Sequence, residues 1–326
     1  MKLAFELSGE HKTIPRSEVL SLFGNKLEYE ADRVLIMDVN SYDAEIGERL
    51  AMTHSVIEVA TTCKQNLNAI YNAAFHMDFP KTIISVRAKR INSHLKSTDV
   101  ERTIGKALFE RGYEVNLKYP EVTVRALLTN DVCIIGKLLT SLNRGSFEER
   151  RPHLRPFFYP GVMLPRPARA AVNLTAIRAD ELLLDPFCGT GGILIEAGLM
   201  GIKAVGSDVQ SIMVCGTQMN IGYYGLDCAL LIQDARKLGL ADESVDTVVT
   251  DLPYGRSSRI QAQSYAQLKS EAITEIYRVL KKGKRAVMIS YTPIENDVKE
   301  AGFSIDECHM QYMHKSLTRT IVVAKK

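Results

Sequence analysis

The sequence predicts an α/β protein in two parts, an α+β region with one strongly basic strand followed by a mostly parallel sheet with helical crossovers. Three observations predict it. Beyond Pro167, short apolar strands alternate with helical segments, the pattern of right-handed βαβ units. Four of those strands run into an aspartate. Between the parts, "RPHLRPFFYPGVMLPRP" (Arg151 to Pro167) gathers five of the eleven prolines.

In chain order, Leu3 to Leu7, Val34 to Val39 and Val56 to Thr61 read as short strands between helices. "TIISVRAKRI" alternates Ile84, Val86 and Ala88 with Ser85, Arg87 and Lys89, so it is a half-buried strand whose other face is basic. "STDVERTIGKALFERGY" puts Val100, Ile104, Ala107 and Leu108 at helical spacing and stops at Gly112. "EVTVRALLTNDVCIIGKLL" reads as a hairpin turning at Asn130 and Asp131. Residues 1–150 are thus expected to form the α+β region. Residues 151–167 are expected to be an extended linker, because proline neither donates to a ladder nor continues a helix.

Residues 168–326 are expected to hold the parallel sheet. Its strands are "ELLLD", "KAVGSD", "ALLIQDA", "DTVVTDLPYG" and "KRAVMIS". "SYAQLKSEAITEIYRVLKKG" is a helix with Tyr265, Leu268, Ala272, Ile276 and Val279 on one side. "FSIDECHM" and "RTIVVAKK" follow with no helix between them and predict an antiparallel hairpin at one edge.

Composition narrows the functions. No apolar run is long enough for a membrane span and no secretory leader is visible, so a cytoplasmic protein without a membrane partner is expected. The six cysteines stand singly and the seven histidines are scattered, which disfavours a metal site or a disulfide framework. Nothing in the sequence requires a partner subunit. The net charge of +3 divides unevenly: −5 over residues 1–80, +9 over 81–170 and −1 over the rest. A basic stripe of that kind suits a polyanion, because each phosphate neutralised releases counterions. Arg87 and Lys89 on the basic strand, with Arg166 and Arg169 in "LPRPAR", are the candidates for RNA contact; Lys315 and Arg319 near the end are weaker ones.

In open parallel sheets a ligand sits outside the carboxyl ends of the strands, where the strand order reverses. Asp185, Asp208, Asp234 and Asp251 are expected at that edge. After Asp185 comes "PFCGTGG", whose glycines let backbone approach a ligand, but Leu194 stands where a dinucleotide fingerprint needs its third glycine. The P-loop lysine is missing too, and a lining of acids repels phosphates. A cationic nucleoside without phosphates fits better. Asp208 lies 23 residues after Asp185, about the separation at which a carboxylate meets a ribose diol. Asp234 can accept from an adenine amino group. Adenosine joined to a sulfonium is S-adenosylmethionine.

"DPFCGTGG" followed by "DLPYG" resembles the class I methyltransferases that modify exocyclic amines, whose pattern is Asn/Asp-Pro-Pro-Tyr/Phe. More narrowly, the chain resembles the archaeal tRNA guanine-N2 methyltransferases acting on guanosine 10. The likeness covers essentially all 326 residues, including "YPGVMLPRPARAAVNL" and "HKSLTRTIVVAKK". It implies a ferredoxin-like segment and a THUMP domain before a Rossmann-like methyltransferase domain, with tRNA as substrate. Asp185, Phe187, Gly189, Thr190 and Gly191, with Asp208, Asp234 and Ala235, are then expected around the cofactor. Asp251, Leu252, Pro253 and Tyr254 are expected at the reacting amine. Leu252 departs from the pattern, which has a proline there, and one fixed φ angle is lost.

An exocyclic guanine amine is a poor nucleophile because its lone pair is delocalised into the ring. Transfer needs that nitrogen in line with the S–CH₃ bond at about 3–3.5 Å. The Asp251 carboxylate and the Leu252 carbonyl can accept its two N–H groups, Pro253 can stiffen the turn, and Tyr254 can stack on the purine for roughly 1–3 kcal/mol. Three other readings share some features. The same chemistry can act on ribosomal RNA, DNA or a protein glutamine; the chain can be an RNA-binding factor with a relic cofactor fold; or it can thiolate tRNA, which needs an S-G-G-x-D-S loop that is missing.

Overall fold

In β1 (Lys2–Leu7) Leu3, Phe5 and Leu7 face one way and Ala4 and Glu6 the other, the two-residue period of a strand covered on both sides. The chain continues through α1 (Ile14–Phe23), β2 (Leu27–Ala31), β3 (Val34–Asp38), α2 (Ala44–Arg49), β4 (Thr53–Lys64) and α3 (Leu67–His76). Then come β5 (Ile83–Arg90), α4 (Ser97–Glu110), β6 (Glu114–Val115), β7 (Val122–Leu128) and β8 (Val132–Ser141). These strands form a mixed sheet in the order β2-β3-β1-β4-β8-β7-β5-β6. Val100, Ile104, Ala107 and Leu108 of α4 are buried against β5, β7 and β8 as their spacing requires. Arg87 and Lys89 alternate with buried Val86 and stay exposed.

The computed structural model describes residues 1–24, 26–253, 265–314 and 317–326. Its two compact units are Met1–Leu142 and Asn143–Lys326. The division thus falls ahead of the proline-rich stretch, which lies wholly within the second unit rather than linking two bodies. Pro165 and Pro167 do not extend a connector. They open the helix Pro165–Leu174, whose first turn has no use for the missing N–H groups.

The second unit runs through α5 (Gly145–Glu148), α6 (Pro165–Leu174), β9 (Leu182–Asp185), α7 (Gly192–Gly198), β10 (Lys203–Asp208), α8 (Ser211–Tyr223), β11 (Ala229–Ile232) and β12 (Thr247–Asp251). It ends with α9 (Tyr265–Val279), β13 (Arg285–Ser290), α10 (Glu295–Glu300), β14 (Ser304–His314) and β15 (Leu317–Lys325). The sheet order is β11-β10-β9-β12-β13-β15-β14, parallel except where β15 joins β13 and β14. The late runs are therefore the expected antiparallel edge hairpin. No helix among the described residues is long and apolar enough to cross a membrane.

Residues 155–163 have no regular structure, yet they are held down. The buried Asn220 accepts from the Phe157 N–H at 2.9 Å and donates to the Phe157 and Thr190 carbonyls, each at 2.9 Å. The Phe157 ring lies on α8 at Gly216, where a Cβ would come within 2.1 Å of the ring.

Gly216→Ala therefore sets a helix-propensity gain of about 1 kcal/mol against an overpacking cost of about 1–3 kcal/mol. The variant is expected to have a lower urea midpoint than wild type. In a Phe157→Ala background the same substitution should raise the midpoint, because the ring that clashes is gone; a lower midpoint in both backgrounds would rule out the ring contact.

Candidate active site

β9 and β12 are ladder partners only at Thr247–Leu183 and Val248–Leu184. Beyond those pairs the strands part, at the place where the sheet order reverses, and the crevice opens at their carboxyl ends. A cavity of about 840 Å³ fills it. Asp185, Asp208, Asp234 and Asp251 all line this cavity, with Phe187, Gly189 and Thr190 from the loop after β9.

Asp185 ends β9 and is almost wholly buried. Its Oδ1 accepts from the Thr250 hydroxyl at 2.8 Å and from the Phe187 N–H at 3.2 Å. Burial pushes its pKa up to about 7, and the neighbouring Asp251 and Asp208 carboxylates push the same way against those two hydrogen bonds. Asp208 ends β10 and accepts from the N–H groups of Gln210 at 2.9 Å and Gly189 at 3.2 Å. Burial raises its pKa as well. Gly191 sits at φ 80° before α7, and a Cβ there would meet the Thr217 methyl at 2.8 Å. Glycine is thus required twice over at this position.

Asp234 departs from expectation. β11 is a four-residue edge strand that ends at Ile232, so Asp234 belongs to the following turn and does not close the strand. Its carboxylate is taken by the Arg236 guanidinium at 2.7 Å, which holds its pKa below the usual value. Next to it Ala235 is buried and also lines the cavity.

Asp251 ends β12. The Leu252 N–H donates to the Ile289 carbonyl at 2.9 Å, and the Leu252 side chain is fully buried in the core. A proline could not make that hydrogen bond. The rigidity lost with the fixed φ angle is offset by one more rung between β12 and β13 and by a buried anchor. Pro253 lines the cavity; Tyr254 and Lys315 lie outside the described residues.

The arginines of "LPRPAR" are not placed as expected. Arg169 is buried and paired with Glu196 at 2.8 Å, and Arg166 pairs with Glu148 at 3.5 Å. α6 thus sets Arg169 against α7 and the half-buried Arg166 beside α5. Arg319 lies in β15, and its Nη2 is 3.6 Å from Asp251 Oδ2. In the first unit, Lys89 lines a recess of about 270 Å³ with His54 and Arg125; Arg125 is paired with the buried Glu6 at 2.8 Å. Sequence reasoning missed Tyr159 to Met163, which form one wall of the cavity. Only the quoted likeness "YPGVML" could have pointed to them.

The chain matches two family models, a THUMP domain over residues 64–137 and an RMKL-like methyltransferase domain over residues 152–321. It is 37% identical to the tRNA (guanine(10)-N2)-dimethyltransferase of Methanothermobacter thermautotrophicus over the whole of both chains. It is 33% identical to the enzyme of the same name from Pyrococcus abyssi, over 89% of this chain and 88% of that one. Among solved structures, TrmN from Thermus thermophilus superposes with a TM-score of 0.55 over the whole of both chains, at 21% identity.

The buried Asp185 makes stability depend on pH. Its folded pKa of about 7 lies above its ordinary 3.8, so between those values the folded chain keeps a proton that the unfolded chain has lost. Stability is then lost as pH rises from about 4 to 7, by at most about 4 kcal/mol at 1.36 kcal/mol per unit. Asp185→Asn should remove this dependence, so in ligand-free protein its melting temperature should exceed that of wild type at pH 8 and converge with it near pH 4. Parallel curves for the two proteins would show that Asp185 is ionised throughout.

Proposed function

Because the chain belongs to the THUMP-bearing, RMKL-like tRNA (guanine(10)-N2)-dimethyltransferase family, we propose that it methylates the exocyclic N2 amine of guanosine 10 in tRNA from S-adenosylmethionine. The product is first the monomethylated and then the dimethylated base. The observation that carries this reading is the meeting of Asp185, Asp208 and Asp251 around one cavity at the switch in strand order. Burial disfavours the ionised Asp185 carboxylate, and a ligand bringing its own positive charge would stabilise that ionised form.

S-adenosylmethionine supplies the electrophilic methyl group. Asp185, with the loop Phe187 to Gly191, would hold its charged end, and Asp208, already fixed by two backbone N–H groups, would take the ribose hydroxyls. Ala235 would flank the adenine. The Asp251 carboxylate and the Leu252 carbonyl accept the two N–H groups of the target amine and turn its lone pair out of conjugation. The amine proton becomes acidic only as the C–N bond forms, so Asp251 orients the nucleophile more than it acts as a base. After the first methyl one N–H remains, enough for a single acceptor to hold during the second transfer. Tyr254 would stack on the purine.

The THUMP region would take the tRNA through backbone and 2′-hydroxyl contacts, because double-stranded RNA is read mostly by shape. Arg87 and Lys89, exposed on β5, are the contacts proposed for it.

The test is incubation with labelled S-adenosylmethionine and two transcripts, one with guanosine at position 10 and one with adenosine. Label should appear in N2-methylguanosine and N2,N2-dimethylguanosine from the first transcript alone. Label elsewhere, or in both transcripts, would overturn the reading. Asp251→Ala should lower turnover by about 10²–10³-fold in a folded protein. Asp208→Ala should weaken cofactor binding by about 1.5–3 kcal/mol in calorimetry.

A further inference from the structure

Arg319 is 4% exposed, and its guanidinium sits between two groups at the carboxyl edge of the sheet. One is the Asp251 carboxylate, with Nη2 to Oδ2 at 3.6 Å. The other is the ring of Tyr291, whose centroid is 5.0 Å from the guanidinium carbon. The fold explains how a tail residue gets there. β15 runs antiparallel to β13, with Thr320 opposite Ser290, so the start of β15 lies beside the ends of the parallel strands. The core does not explain the charge. Ile321, Val322, Val323 and Ala324 follow it into the interior, and an apolar side chain at 319 would avoid the desolvation of a buried cation.

We propose that Arg319 is a positioning residue for methyl transfer, acting through Asp251 and not through RNA; this rests on the role given to Asp251 above. The guanidinium lies over the Tyr291 ring and forms an ion pair with Asp251 Oδ2 across 3.6 Å, two contacts that limit how it can turn. The ion pair sets the rotation of the carboxylate and hence the direction in which it accepts from the amine. The pair thereby holds the acceptor that orients the nitrogen.

The test is steady-state kinetics on one tRNA transcript with Arg319→Gln, Arg319→Lys and Tyr291→Leu, with Asp251→Asn as the background. Arg319→Gln should lower kcat by about 10- to 100-fold, the scale of a small misplacement of a reacting group, with the KM values for tRNA and cofactor unchanged. Arg319→Lys should recover part of that loss, since it keeps the charge but not the plane. Tyr291→Leu should cost about 2- to 5-fold, the value of a lost cation–π contact. In the Asp251→Asn background, Arg319→Gln should cause no further loss, because the group it acts through has changed.

A raised tRNA KM with kcat intact would show that Arg319 contacts RNA and would overturn the proposal. So would full additivity of Arg319→Gln with Asp251→Asn. If Asp251→Asn itself turned over at the wild-type rate, the role of Asp251 would fall instead. Should Arg319→Gln fail to fold, the lysine and Tyr291 variants carry the same test.

Discussion

The hydrogen bond from the Thr250 hydroxyl to Asp185 Oδ1 ties together the two strands whose separation makes the site. β9 and β12 stop pairing at Leu184 and Val248, and without a further tie their ends would be free to splay. Thr250 is fully buried and lies one residue before Asp251, so one hydroxyl fixes the spacing of two carboxylates. The arrangement is electrostatically unfavourable on its own. Four acids line the cavity, one of them almost wholly buried, and the proton that Asp185 keeps to about pH 7 relieves part of the repulsion. A cationic ligand relieves the rest.

The remaining walls depend on contacts remote from the acids. Glu196 of α7 is fully buried and takes two arginines, Arg150 at 2.9 Å and Arg169 at 2.8 Å, both lying over the Phe147 ring. Removing one partner from such a buried pair costs about 3–5 kcal/mol, so this cluster fixes α5 and α6 against α7. α7 begins immediately after the cavity loop. On the other side Asn220 holds Phe157 and Thr190 together, which places residues 159–163 as a wall rather than a tether. The proline-rich stretch thereby supplies one wall of the cavity, and its prolines stiffen that wall.

What the sequence determined by itself was local. Two-residue alternation marked β5 with its exposed Arg87 and Lys89, and helical spacing marked α4 and its four buried residues. The loops "DPFCGTGG" and "DLPYG" pointed to the cavity, which Asp185, Phe187, Gly189, Asp251 and Pro253 line. Only the tertiary structure decided which charges meet. Arg169 and Asp234 looked available in the sequence, yet each is taken by a partner, Glu196 and Arg236. Arg319 stands far from Asp251 along the chain and meets it because β15 is inserted antiparallel beside β13. Leu252, where the resemblance has a proline, keeps its N–H bonded because β13 offers the Ile289 carbonyl. Strand order and register set these encounters, and they arise from long-range packing that no local period in the chain records.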